Sequence, residues 1–278
     1  MTTWVFLRGL TREARHWGDF PQLFRAEFDG ELAEGDILTP DLPGNGRLHA
    51  LTSPVSVDAM MESCRQQLRD QGKAPPYHLL GLSLGGMVAV AWALRYPDEC
   101  RVAVLMSTSL RPYSPLLQRL RPRGWAALIR LIPARGSARE RGILQLTSAR
   151  AGVLQHVLPT WTEYARECPV SRIGAIRQLI AAARFSALEK PDVPLLFLAG
   201  AGDRMVHPDC SQRLAQAWHA DFSLHPTAGH DLPLDDGKWV ACEVASWMKL
   251  RKQGMDNSEG NRCALTASRF QITIRPLF

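Results

Sequence analysis

Ser83 stands in GLSLGG, residues 81–86, where an apolar run, YHLLGLS, gives way to a helical pattern, LGGMVAVAWALRYP. Small residues two before and two after a serine let a strand turn sharply into a helix, leaving the hydroxyl exposed at the helix N-terminus. Glycines also serve a plain packing turn, but GxSxGG between strand and helix points to a nucleophile. A serine hydroxyl near pH 7 needs a base to take its proton. Of the eight histidines, His78 and His225 fall in strands, His219 ends a helix, and His49 and His156 carry no supporting pattern. His207 sits in a loop where a polar position explains it equally well. His230, in PTAGHDLPLDD, follows the last strand behind the small Ala228 and Gly229, and is the base of choice. An acid must orient that base and stabilise the imidazolium. Asp203, in the Gly-rich loop of PLLFLAGAGDRMVHP, fits; the loop MSTSLRP after the fourth strand has no carboxylate, and Asp231 and Asp235 adjoin a helix start, where capping accounts for them. The chain order is then Ser, Asp, His.

These residues need a scaffold that brings loop ends together. WVFLRG (4–9), DILTPDL (36–42), YHLLGLS (77–83), RVAVLMS (101–107), PLLFLAG (194–200) and DFSLHP (221–226) read as short apolar strands. Helical periodicity lies between them, over 56–72, 84–97, 208–220 and 235–253. Alternating strands and helices with apolar strands imply a mainly parallel sheet covered on both faces, whose strand-to-helix loops converge on one edge. Residues 108–190 break the rhythm with helical patterns, interrupted by RPR, IPARGS, LPTW and ECPVS, and read as a helical insertion.

The chain has 278 residues, enough for one α/β domain with an insertion. It carries no run of 18 apolar residues that would span a membrane, and MTTWVFLRG reads as a strand and not a secretory leader, so a cytoplasmic location is expected. Cys64, Cys100, Cys168, Cys210, Cys242 and Cys263 are scattered, without zinc or redox spacing. Neither GxGxxG nor a Walker pattern is present, so no metal or organic cofactor is expected.

Taken in sequence, FLRGL, DLPGNG, GLSLGG, GAGDRMVHP and AGHDLPLD make the chain, over roughly residues 4–250, resemble the α/β-hydrolase fold superfamily, in its serine-nucleophile branch with a helical cap. Within it, GLSLGG and a compact cap are similar to carboxylesterases and the pimeloyl-carrier-protein methyl esterase, and to the menaquinone-pathway lyase. The resemblance implies an essentially parallel sheet of about six strands flanked by helices, with the cap inserted after the fourth strand. The expected divisions are a core over 1–109 and 189–253, a cap over 110–188, and an extension, 254–278, that is loosely attached or disordered, although RFQITIRPLF alternates like an edge strand. It also assigns the backbone N–H groups of Leu10 and Leu84 to an oxyanion hole. Arg8 stands before Gly9 where the family commonly has His, which puts the geometry of that first loop in question; Arg12 and His16 after it are pocket candidates, and Trp17 a packing residue. The implied activity is hydrolysis of a carboxylic ester or thioester through an acyl-enzyme. The alternatives are elimination by a lyase using the same triad, and a silent binding scaffold, which an intact triad disfavours.

The insertion carries a charge asymmetry. From Arg111 to Phe185 there are thirteen arginines, no lysine and three acids, within a chain of net charge +6. Guanidinium groups suit bidentate recognition of phosphates and carboxylates. Arg119, Arg121 and Arg123 are the candidates for a positive rim that attracts an anionic acyl donor, such as an acidic acyl carrier, coenzyme A conjugate or acidic small molecule; a solvated surface is the plain alternative. No nucleic-acid motif accompanies the charge. Trp125, Trp161, Tyr113 and Phe185 are expected to build the core of the cap or line its pocket.

Overall fold

A computed structural model describes residues 3–28, 30, 32, 36–131 and 133–267, the stretch 254–267 by backbone alone. In chain order the main elements are β1 (Thr3–Leu7), α1 (Phe20–Ala26), β2 (Ile37–Leu38), α2 (Val57–Asp70), β3 (Tyr77–Leu82), α3 (Leu84–Arg95) and β4 (Cys100–Met106). There follow α4 (Leu116–Arg119), α5 (Pro122–Leu131), α6 (Gly136–Thr147), α7 (Leu158–Glu167) and α8 (Arg172–Arg184). The chain ends with β5 (Leu195–Gly200), α9 (Asp209–Ala217), β6 (Asp221–His225) and α10 (Leu232–Ala267), the last kinked at Asp236.

The strands form one parallel sheet in the order β2-β1-β3-β4-β5-β6. The central strands are buried on both faces, which is why they read as continuous apolar runs. One face packs α2, α3 and α9 through Leu79, Val88, Trp92, Phe197 and Leu214; the other packs α1 and α10 through Phe6, Leu80, Val104, Leu198 and Val240. Helices α4–α8 lie between β4 and β5 as the cap. Where the chain leaves for the cap and returns, Arg111 pairs with Ser186 in a parallel bridge, and the Tyr113 hydroxyl donates to Leu188 O.

Three elements depart from expectation. Strand β2 keeps only Ile37 and Leu38 of the expected 36–42, because it is an edge strand and Pro40 and Pro43 deny the following residues a continuous ladder. Helix α1 is formed in a stretch where no helix is expected; Phe20, Phe24 and Phe28, spaced by four, pack on Trp4 and Phe6, with Pro21 at the start of the helix. Helix α10 continues beyond the expected end at Gln253 to Ala267, while the strand-like RFQITIRPLF lies outside the described residues.

Candidate active site

Ser83 caps the start of α3 with φ 57° and ψ −113°, a left-handed conformation that a residue bearing Cβ occupies only under constraint. Its N–H donates to Met106 O of β4 (2.8 Å) and its C=O accepts from Thr108 Oγ1 (3.0 Å), so both sides of the elbow are anchored to the neighbouring strand end. Space explains the flanking glycines: a Cβ on Gly85 would lie 2.0 Å from Leu7 O, and one on Gly81 2.4 Å from Gly85 O. Only hydrogen at these positions lets α3 start directly against β1 and β3.

Asp203 follows β5 and is buried. Its Oδ1 accepts the N–H groups of Met205 (2.7 Å) and Val206 (2.9 Å), which turns Oδ2 toward Nδ1 of His230, 2.7 Å away. That arrangement leaves Nδ1 as the donor and the lone pair on Nε2. His230 is itself buried, in the loop after β6. Burial opposes its protonation, but the charge and hydrogen bond of Asp203, with the charge of Asp231, outweigh burial and raise its pKa above the ordinary 6.5. Ser83 and His230 line one small cavity of about 50 Å³, and Ser83 opens on a second of about 60 Å³. Leu10 lines both, and Leu84, at the first position of α3, has an N–H with no acceptor inside its helix.

Two acids expected to cap α10 do other work. Asp231 forms a forked pair with Arg8 (2.6 and 3.3 Å), and the Arg8 guanidinium lies 4.6 Å over the Trp17 ring. The arginine before Gly9 therefore ties the β1 loop to the residue next to His230. Asp235 accepts from Gly229 N (2.7 Å), Ala149 N (2.9 Å) and the Ser148 hydroxyl, joining the histidine loop to the end of α6. The adjacency of Asp231 to His230 was the only sequence signal for the first clamp; for the second there was none.

Arg119, Arg121 and Arg123 do not form one rim. Arg119 is buried and donates to Ala182 O (2.7 Å) and Ala183 O (3.1 Å) at the end of α8, beside the Ser83 cavity; Arg121 donates to Asp203 O (2.6 Å); Arg123 is exposed. A guanidinium near orphan carbonyls at a helix C-terminus satisfies them and complements the helix dipole, which explains the inward turn of Arg119. Arg12 and His16 are buried against each other, with Arg12 paired to Glu140 at 2.6 Å and placed 4.5 Å over Trp161. Trp125 lines the second Ser83 cavity, whereas Trp161 packs with Leu144 and Leu158, Tyr113 packs on Trp218, and Phe185 joins the core. His207 meets Asp209 through its ring, His78 packs edge-on to Trp4 with its pKa lowered by burial to about 4, and His225 binds the turn at Thr227 and Ala228.

A parallel sheet with a serine elbow after its third strand and an inserted helical cap is the architecture of an enzyme class that works at the strand ends. The chain matches the Alpha/beta hydrolase family over residues 4–244 and belongs to it. Among its relatives, RutD of Variovorax paradoxus, named for carbamate hydrolysis, is 30% identical, over 80% of this chain and 82% of that protein. The pimeloyl-[acyl-carrier protein] methyl ester esterase of Neisseria meningitidis is 28% identical, over 76% and 87%. The solved structure of a thermophilic esterase from Thermogutta terrifontis aligns over 90% of both chains with a TM-score of 0.65 and 22% identity, a likeness of fold. The protein is thus an enzyme of the α/β hydrolase family. Among the described residues no helix is long and apolar enough to cross a membrane.

Proposed function

We propose that the protein is a serine hydrolase of carboxylic esters or thioesters. The observation that carries the reading is the buried 2.7 Å contact between His230 Nδ1 and Asp203, with His230 and the Ser83 elbow lining one cavity. Ser83 Oγ attacks the substrate carbonyl carbon while Nε2 of His230 takes its proton. The resulting oxyanion faces the N–H groups of Leu10 and Leu84 at the positive end of α3. Collapse expels the alcohol or thiol, which receives the proton from His230, and leaves an acyl-serine. Water, activated by the same imidazole, then releases the acid. The names of the relatives support ester chemistry at a carbonyl carbon, and a carbamate would be attacked at the same type of atom.

The test is a screen of free esters, thioesters, carrier-bound esters and a carbamate, paired with fluorophosphonate labelling. Ser83→Ala is expected to abolish both turnover and labelling while the circular dichroism stays native. Undiminished labelling of that variant would reject the assignment, and His207→Ala is expected to leave turnover near the wild-type rate.

A further inference from the structure

A large cavity lies beyond Ser83, between the cap and the loop after β1. It measures about 570 Å³, within the range of ligand pockets, and is walled by Arg12, Arg135, Arg139, Arg172 and Tyr164. Its two acids are already engaged: Glu140 pairs with Arg12, and Glu13 with Arg15. Among the described residues no carboxylate pairs directly with Arg135, Arg139 or Arg172. Arg12 is more than nine-tenths buried, yet its Nη2 has no hydrogen-bond partner. Helices α6 and α8 both begin at this wall, at Gly136 and Arg172, and the start of α6 has no side-chain cap. Arg139 and Arg172 each donate to one backbone carbonyl, Val170 O (3.1 Å) and Pro133 O (3.3 Å), and so keep their charge without a carboxylate; such guanidinium groups and helix N-termini lining one cavity favour an anion there.

The cavity is also linked to the Ser83 and His230 cavity by shared walls. An apolar slot of about 80 Å³ shares Thr11, Arg139, Ile143 and Arg172 with it. The same slot shares Leu10, Leu128 and Leu131 with the Ser83 and His230 cavity. Helix α6 runs alongside as a ruler: Arg139 borders the large cavity and Thr147 the Ser83 cavity, about 12 Å apart at the helical rise of 1.5 Å per residue.

From this layout, and resting on the hydrolase reading, we infer that the substrate is an ester or thioester whose acyl chain ends in an anionic group. The ester end lies at Ser83, the chain crosses the leucine-lined slot, and a carboxylate or phosphate at the far end meets Arg139 and Arg172. The arginine richness of the cap thus acts from inside, at the base of α6 and α8, and not through Arg119, Arg121 and Arg123.

The experiment compares p-nitrophenyl monoesters of linear dicarboxylic acids, from succinate to sebacate, with the same compounds bearing a methyl ester at the far end. The free carboxylate is expected to raise kcat/KM by about tenfold or more for the chains that reach Arg139, and the ratio is expected to fall toward one in Arg139→Gln and in the exposed Arg172→Gln. A parallel calorimetric titration of full-length protein with suberate, dimethyl suberate and inorganic phosphate reads the site without turnover. Suberate is expected to bind more tightly than its dimethyl ester and to weaken by about tenfold in the glutamine variants. Competition by phosphate assigns a phosphate-bearing terminus; its failure to compete assigns a carboxylate. Equal binding of suberate and dimethyl suberate, or equal suberate binding by wild type and Arg172→Gln, overturns the inference even if esters are hydrolysed. Absence of Ser83-dependent turnover with anion binding intact rejects the hydrolase reading and leaves the anion site standing.

Discussion

His230 sits between opposing influences: burial disfavours its charged form, whereas Asp203 and Asp231 favour it and Arg8 opposes it. In the proposed mechanism it is the base and must be neutral in the free enzyme, so kcat/KM is expected to be full above its pKa and to fall as pH drops through it. Because that pKa is raised, the acid limb is expected above pH 6.5. Asp203→Asn removes the main raising charge, so the limb is expected to move to lower pH while kcat falls by about 10⁴-fold through the wrong tautomer. A pH–rate profile of both proteins checks this; an unmoved limb means that another group titrates. Arg8 and Asp231 can be judged by stability. Removing one partner of a buried pair strands the other charge, at a cost of about 3–5 kcal/mol, whereas replacing both by apolar residues costs much less. Urea unfolding is expected to show Arg8→Met well below both wild type and the double variant Arg8→Met/Asp231→Leu. If the single and double variants are equally unstable, the clamp contributes nothing by pairing.

The elements hold the site through their ends. Asp235, near the start of α10, accepts two backbone N–H groups from two other segments, Gly229 in the histidine loop and Ala149 after α6. Asp235→Ala leaves those donors without an acceptor, at about 1–3 kcal/mol each where they are buried. Loss of both stability and kcat is expected, with partial rescue by Asp235→Asn, which keeps one acceptor oxygen. A kcat that is unchanged in Asp235→Ala would show that the histidine loop does not depend on α6. By contrast, α1 acts away from the site, on the sheet face that it shares with α10. Phe24 is fully buried among Trp4, Phe6, Phe20 and Phe28, so Phe24→Ala is expected to cost about 3–5 kcal/mol. Chemical denaturation measures that loss, and a cost below 1 kcal/mol, to be read as collapse of the site around the cavity, would refute it.

At the scale of the molecule, the sheet and the cap differ in how completely they are covered. Strands β3 and β4 are almost wholly buried, whereas α5 buries only Gly124 and leaves Ile129 63% exposed. Local opening follows such differences, since helices with few buried contacts open at lower free energy than a sheet core. Amide exchange is therefore expected to be faster in α5 than in β3 and β4, with a ligand of the arginine-lined cavity slowing exchange at the starts of α6 and α8. Uniform protection across cap and sheet would contradict this. The charge of the cap is unevenly used as well: Arg119 and Arg121 are turned to carbonyls of α8 and Asp203, whereas Arg139 and Arg172, which also donate to Val170 O and Pro133 O, line the cavity.

Local spacing was enough to read the parallel sheet, the elbow at Ser83 and the pairing of Asp203 with His230 as candidates. Each depends on residues close in sequence: apolar runs of strand length, glycines two positions either side of a serine, and an acid or histidine just after a strand. The same locality concealed α1, whose aromatic spacing of four was hidden by the charged residues before it, and made β2 look longer than an edge strand flanked by prolines can be. Contacts between distant segments could be known only from the folded chain. Arg8 reaches Asp231, Asp235 reaches Ala149, and Arg12 reaches Glu140 across more than 80 residues, and nothing in the spacing of these residues fixes their partners. The arginines of the cap show the difference most plainly. Composition locates them in one segment, but whether a guanidinium meets a helix end, an aspartate carbonyl or a cavity depends on how the helices pack, because a long side chain samples all of these until packing leaves it one.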